Sequence, residues 1–169
     1  MTKIEKKIVV AGEGSAEKLA KRLEERGLSV LGPAPDRIIE YNGEESPVVM
    51  VLRRIKDFSW LVFTSRMGVD IFFETLYDHG FDIRRLHHLK IACIGEDTEK
   101  DLNKRGIQAT YVSKKYNGKA LAEGLISLVG DHEWLLLIRA KGCTDALPEF
   151  LEEKGLYYED IAIYEEIFL

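Results

Sequence analysis

The chain has 169 residues, enough for one hydrophobic core, or one core plus a fragment of another. A net charge of −5 withholds the basic surface that broad nucleic-acid or anionic-membrane binding needs, while 46% apolar residues suit an ordinary packed interior. No apolar run approaches the roughly 18 residues of a membrane span, no signal-peptide pattern opens the chain, and two cysteines, Cys93 and Cys143, are too few for a disulfide framework, so the expectation is a cytoplasmic protein.

In chain order, residues 7–10 read as a first strand. The turn AGEG follows, and Ser15 is suited to cap a helix over residues 16–26. Leu19, Ala20 and Leu23 give that helix an apolar stripe at three-and-four spacing. Gly27 closes it, residues 28–31 open a second strand, and GPAPD at 32–36 is the best linker candidate. Residues 37–41 read as a short strand or connector, and residues 47–56 as a helix in spite of their valines. The run WLVF at 60–63 is short and apolar throughout, the pattern of a strand covered on both faces. A helix over 68–78 carries Val69, Phe72, Phe73 and Leu76 on one face. After a connector at 84–89 come a strand at 90–94, a helix at 97–105, a strand at 107–112 and the loop KKYNG. A helix at 119–129, a strand at 133–138, a helix at 144–154 and a strand at 157–164 complete the order.

One local pattern recurs: a helix ends in glycine and an apolar residue follows, at Gly27, Gly80, Gly106 and Gly155. After three of the four a strand is expected directly, which implies right-handed βαβ units and a parallel sheet with helices on both faces. Residues 1–32 supply one β-α-β piece, too small to bury a core alone. Residues 37–164 supply about five strands, enough for a doubly wound α/β fold.

Several enzyme signatures are absent. GEGSAEK at 12–18 lacks the ending of a phosphate-binding P-loop, no G-x-G-x-x-G follows a strand, and there is no G-x-S-x-G elbow. His79, His87, His88 and His132 lack metal-ligand spacing, and Cys93 reads as a buried structural thiol. What remains is polar chemistry where strands give way to helices: Thr64 and Ser65 after one strand, Gly95 and Thr98 after the next. Ser65 and Thr98 can cap helices, and helix-start amides with hydroxyls can hold a ligand carboxylate. Arg66, Lys114, Lys115, Lys119, Arg139 and Lys141 all fall just past expected strands, either as a solvated rim or as a cluster for an acidic substrate. Tyr116 and Tyr164 are the phenols nearest this face.

Five segments together resemble one family. WLVFTSRMGVDIFFETL is similar to the strand, F-T-S and helix segment of uroporphyrinogen III synthases, and KIACIGEDTEKDLNKRGIQATYV to their strand, x-G-x-x-T and helix segment. KKYNGKALAEGL, LLLIRAKGCTDALPEFLEEKG and IAIYEE are similar to the segments that follow, in the same order. The resemblance implies two flavodoxin-like or Rossmann-like domains joined by a two-stranded ladder. Residues 1–36 would open a discontinuous first domain, left incomplete at Leu169, and residues 37–169 would form the second, with ladder strands near 37–41 and 161–167. The chain departs from the family at its start, where Ala11 and Gly12 replace the usual threonine and arginine.

The resemblance also implies a chemistry, that of a hydro-lyase in haem, cobalamin and sirohaem biosynthesis. The substrate is hydroxymethylbilane, a linear tetrapyrrole that loses its hydroxyl as water and closes with inversion of the last ring. Tyr164 would be the catalytic helper, with Ser65, Arg66, Gly95, Thr98, Tyr116, Asn117 and Gly118 binding substrate, and no metal or organic cofactor. The implied partners are hydroxymethylbilane and uroporphyrinogen III, a fused or contacting uroporphyrinogen methyltransferase, and a second copy pairing through residues 1–36. The alternative is a non-catalytic flavodoxin-like module that binds anions or tetrapyrroles.

Overall fold

A computed structural model describes residues 37–167 continuously and, before them, only residues 8–9, 22–23, 25–26 and 30–31. By its contacts the chain divides into two units, Met1–Ile38 with Glu166–Leu169, and Ile39–Glu165. In the first, β1 (Ile8–Val9) and β2 (Val30–Leu31) pair in parallel, Ile8 opposite Val30. The helix expected at 16–26 is described only in part, Arg22 and Leu23 being helical. Its Ser15 cap, the AGEG turn, Gly27 and the GPAPD linker lie outside the described residues.

The remaining elements run β3 (Arg37–Glu40), α1 (Pro47–Arg53), β4 (Trp60–Phe63), α2 (Arg66–Asp78), β5 (Lys90–Ile94), α3 (Glu96–Lys104), β6 (Tyr111–Ser113), α4 (Gly118–Ile126), β7 (Trp134–Ala140), α5 (Ala146–Glu153) and β8 (Tyr157–Ile167). Among the described residues they build a six-stranded sheet of order β3-β8-β7-β4-β5-β6, with β4, β5, β6, β7 and β8 paired in parallel. Counted from β4, the five parallel strands stand in the order 3-2-1-4-5, the Rossmann order short of its sixth strand. No helix among the described residues is long and apolar enough to cross a membrane.

The apolar runs of β4 and β7 fill both faces, as their non-alternating sequence requires. Trp60 and Val62 pack with Leu135, Leu137, Leu121, Leu125, Leu147 and Leu151 against α4 and α5. Phe63 meets Phe72 and Phe73 of α2, with ring centroids 5.5 and 6.1 Å away. All of these side chains are essentially inaccessible, so deleting one of the rings would cost about 3–5 kcal/mol. Gly80, Gly106 and Gly155 close their helices in the left-handed region, as the recurring pattern implied.

Three expectations are corrected. The strand expected at 107–112 is only Tyr111–Ser113. Ile107 is used to finish α3, its amide reaching back to Leu102 O at 3.1 Å. Thr98 does not cap α3; Gly95 is the cap and Thr98 is buried one turn inside. The last strand runs past Tyr164 to Ile167 and carries an irregularity that its alternating letters conceal. Arg139 faces Ala162 but Ala140 faces Tyr164, so one extra residue lies in β8. Such a bulge breaks the two-residue alternation, and successive Ile163 and Tyr164 are both buried.

The amino edge of the sheet is tied by one carboxylate. Glu133 accepts from Lys90 Nζ (2.7 Å), Trp60 Nε1 (2.8 Å) and Gly130 N (2.8 Å). Partial burial pushes its carboxyl up, but these donors outweigh that and hold it at about 2.

Candidate functional site

From β4 the chain moves outward through β5 to β6, and from β7 it moves the other way to β8. The crevice above the carboxyl ends of β4 and β7 is therefore the topological switch point of the sheet, the place where open α/β sheets hold ligands. A cleft of about 670 Å³ lies there, lined by Thr64, Ile94, Arg139, the segment Tyr116, Asn117, Gly118 and Lys119, and the segment Cys143, Thr144, Ala146 and Leu147. Gly118 brings the start of α4 against the start of α5: a Cβ on it would sit 3.0 Å from Leu147 Cβ and 3.2 Å from Leu147 N.

Beside the cleft, Ser65 and Tyr164 meet. Ser65 caps α2, its Oγ accepting from Gly68 N at 3.0 Å. The same oxygen is 2.9 Å from the Tyr164 hydroxyl, across 99 residues of sequence. The bulge in β8 delivers Tyr164 to the α2 side of the sheet. Tyr164 is only 3% exposed, whereas Ser65 is half-buried next to the cleft-lining Thr64.

Arg66 is engaged elsewhere. Its Nε donates to Asp101 Oδ2 at 2.6 Å, and Lys104 Nζ donates to the other oxygen at 2.7 Å. Burial pushes the Asp101 carboxyl up, but the Arg66 and Lys104 hydrogen bonds prevail and hold it below its usual range. Arg105 adds a bond to Asp70 at 2.7 Å, so the cluster locks α3 to α2.

The start of α3 is not built for anions. Glu96, Asp97 and Glu99 occupy its first turn and already complement the positive end of the helix dipole. Gly95 instead seats Tyr116. It holds φ +80°, and a Cβ there would sit 2.2 Å from the Tyr116 ring. The ring covers Gly95 yet is 71% exposed at the mouth of the cleft.

Of the sequence-derived candidates, Tyr116, Asn117 and Gly118 line the cleft, Gly95 lies under Tyr116, and Ser65 and Tyr164 form the adjacent hydroxyl pair. Arg66 and Thr98 do not line it. Among the rim cations, Lys119 and Arg139 face the cleft and Lys141 pairs with Glu165 at 3.1 Å. Lys114 and Lys115 are exposed in the loop before α4. Cys143, Thr144 and Leu147 went unforeseen because no residue spacing marks the loop after β7 as facing the start of α4. A second hollow, about 730 Å³, lies along the loop after β3 and residues Asp160, Ile161 and Ala162, and of the candidates it takes in the rim cation Lys141 alone. Cys93 is buried and its thiol is pushed up to about 12 by that burial and the Glu99 charge, consistent with a structural role.

The geometry can be set beside known proteins. A family model described as uroporphyrinogen-III synthase HemD matches residues 17–168. The porphyrin biosynthesis protein HemD of Ruminiclostridium josui is 29% identical over 110 residues, 65% of this chain and 22% of the relative. A mutant uroporphyrinogen III synthase of the extreme thermophile Thermus thermophilus has a TM-score of 0.67 at 18% identity, covering 95% of this chain and 62% of that one. Uroporphyrinogen-III synthetase of Helicobacter pylori has a TM-score of 0.58 at 21% identity, covering 84% and 57%. At such identities the solved structures speak for the fold, and this chain spans less than two thirds of the length of each of these relatives. With the family model running through almost all of it, the chain belongs to the uroporphyrinogen-III synthase family.

Proposed function

We propose that the chain carries its family's reaction, cyclising hydroxymethylbilane to uroporphyrinogen III with inversion of the last ring and loss of water. The observation that carries this reading is the Ser65–Tyr164 hydroxyl pair at the switch point. A substrate that is already reactive needs shape control and one well-placed proton more than a strong nucleophile. Tyr164 is too buried to present its phenol broadly, so Ser65 Oγ is the route for its proton to the cleft. That proton leaves with the substrate hydroxyl as water while the pyrrole nitrogen lone pair replaces the broken C–O bond. A pyrrole proton released on closure restores the phenol. Tyr116 offers a ring face to a pyrrole at the mouth of the cleft, and the α4 start at Asn117 and Gly118 offers amides to an acidic side chain.

Within the same proposal, residues 1–36 begin a discontinuous first domain, the chain works in the cytoplasm, and a uroporphyrinogen methyltransferase, fused or adjacent, takes the product. Pairing of two copies through residues 1–36 is read by light scattering on the chain with and without that segment. The test of the activity is incubation of hydroxymethylbilane with this polypeptide and separation of the isomers. The III isomer in excess is the expected result. The I isomer alone, at the spontaneous rate, overturns the proposal, and binding without turnover would leave a non-catalytic module.

A further inference from the structure

The phenol of Tyr164 reaches Ser65 only because the extra residue in β8 turns it that way. A bulge leaves one residue out of the ladder, so the segment after it needs an anchor of its own. The neighbouring strand β7 does not extend far enough to be that anchor, since its register with β8 ends at Ala140 opposite Tyr164.

Two residues from distant parts of the chain hold the segment instead, and each does so twice. Tyr41, just past β3, donates its amide to Ile163 O at 2.8 Å and its hydroxyl to Glu165 Oε2 at 2.7 Å. Lys141, just past β7, donates its amide to Tyr164 O at 2.7 Å and its ammonium to the same Glu165 oxygen at 3.1 Å. These bonds bracket Tyr164: they take the carbonyl before it, its own carbonyl and the side chain after it. Neighbours along a strand point to opposite faces, so the Glu165 carboxylate is gathered on the side away from the phenol. The Tyr41 hydroxyl first, and Lys141 second, hold the Glu165 carboxyl below its usual range. It is therefore ionised at neutral pH, and an ionised acceptor makes the stronger hydrogen bond. An exposed Lys–Glu pair by itself is worth little. This one differs because both donors already hold β8 by their backbones.

We propose that Glu165 is a positioning residue: gripped by Tyr41 and Lys141, it fixes the phase of β8 after its bulge and so keeps the Tyr164 hydroxyl on Ser65. Glu165 acts through Tyr164 and not on the substrate. That the phenol so placed delivers a proton rests on the proposed function, but the placement itself does not.

The test reads placement and rate separately, on the full chain. Tyrosine labelled with ¹³C at Cζ reports the phenol's hydrogen bonding by NMR, and the Tyr164 signal is the one lost in Tyr164→Phe. Ser65→Ala marks where that signal lies without the serine. Glu165→Ala should move it toward the Ser65→Ala position, and Glu165→Gln, which keeps an acceptor for the Tyr41 hydroxyl, should move it less. In III-isomer formation Glu165→Ala should lower kcat about tenfold with KM little changed, short of the cost of losing the group's placement altogether. That loss should vanish when residue 164 is already phenylalanine. A Tyr164 signal that stays in place in Glu165→Ala overturns the proposal, and so does a rate loss undiminished in the Tyr164→Phe background. A signal that moves in a chain forming no III isomer upholds the placement and defeats the catalytic reading. Turnover slowed by Tyr164→Phe but not by Glu165→Ala does the reverse. Where Glu165→Ala fails to fold, Tyr41→Phe removes the hydroxyl donor alone and is held to the same two readings.

Discussion

The two edges of the sheet treat their polar groups in opposite ways. At the amino edge Glu133 is saturated, one oxygen taken by Lys90 and the other shared by Trp60 and Gly130. At the carboxyl edge the contacts are spread over distant segments: Arg139 reaches Thr144 O and the carboxylates of Asp160 and Asp145, the starts of two helices face each other across a cleft, and the Tyr164 hydroxyl meets Ser65. One edge is closed around a single carboxylate, and the other is held open around a hollow.

The contrast is broken most sharply at Tyr164. Tyr164→Phe should slow formation of the III isomer about 100-fold, the lower end of what a positioned proton donor contributes, while isomer separation against time gives the rate. A variant as fast as the parent would remove the phenol from the chemistry. The counterpart at the other edge is Glu133→Gln, which should cost about 2 kcal/mol in denaturant unfolding at neutral pH, since hydrogen bonds to a charged group are lost. The sign with pH is fixed: the folded state holds this carboxyl at about 2 against an ordinary 4.5. Its contribution is therefore full above pH 4.5 and lost as pH falls through about 2. The variant should show a flatter acid limb over that interval and keep its turnover, and an unaltered limb would refute the assignment.

Smaller effects sharpen the boundary. Gly95→Ala should destabilise by about 1–2 kcal/mol, because alanine resists φ +80° and its methyl meets the Tyr116 ring. Adding Tyr116→Ala should recover the steric part only, so a double-mutant cycle in urea separates the two causes. Arg66→Gln should cost about 1 kcal/mol through the Asp101 bridge, measured by thermal unfolding. A larger change in KM than in stability would instead return Arg66 to the substrate.

Much of the architecture was legible from local letters. WLVF at 60–63 could only be a covered strand, and Ser65 before an amphipathic run could only start a helix. Glycine at three helix ends marked the returns. The site was legible where it follows from sequence position, as with Tyr116, Asn117 and Gly118 between β6 and α4. It was not legible where distant segments decide. Arg66 looked available until Asp101, 35 residues on, was found beside it. Gly95 looked like a ligand cradle until the exposed Tyr116 was found lying on it. The acidic start of α3 was visible as letters, but its meaning depended on knowing where that helix begins.

The supernumerary residue in β8 has a consequence for anyone comparing or re-engineering related chains. A pairwise match that slides IAIYEE by a single position would lose almost nothing in score, yet it would assign the phenol to the opposite wall of the domain. Excising one residue at 162–163 should act like such a slip made physical, leaving the helices intact while the tyrosine turns away from the serine it now touches.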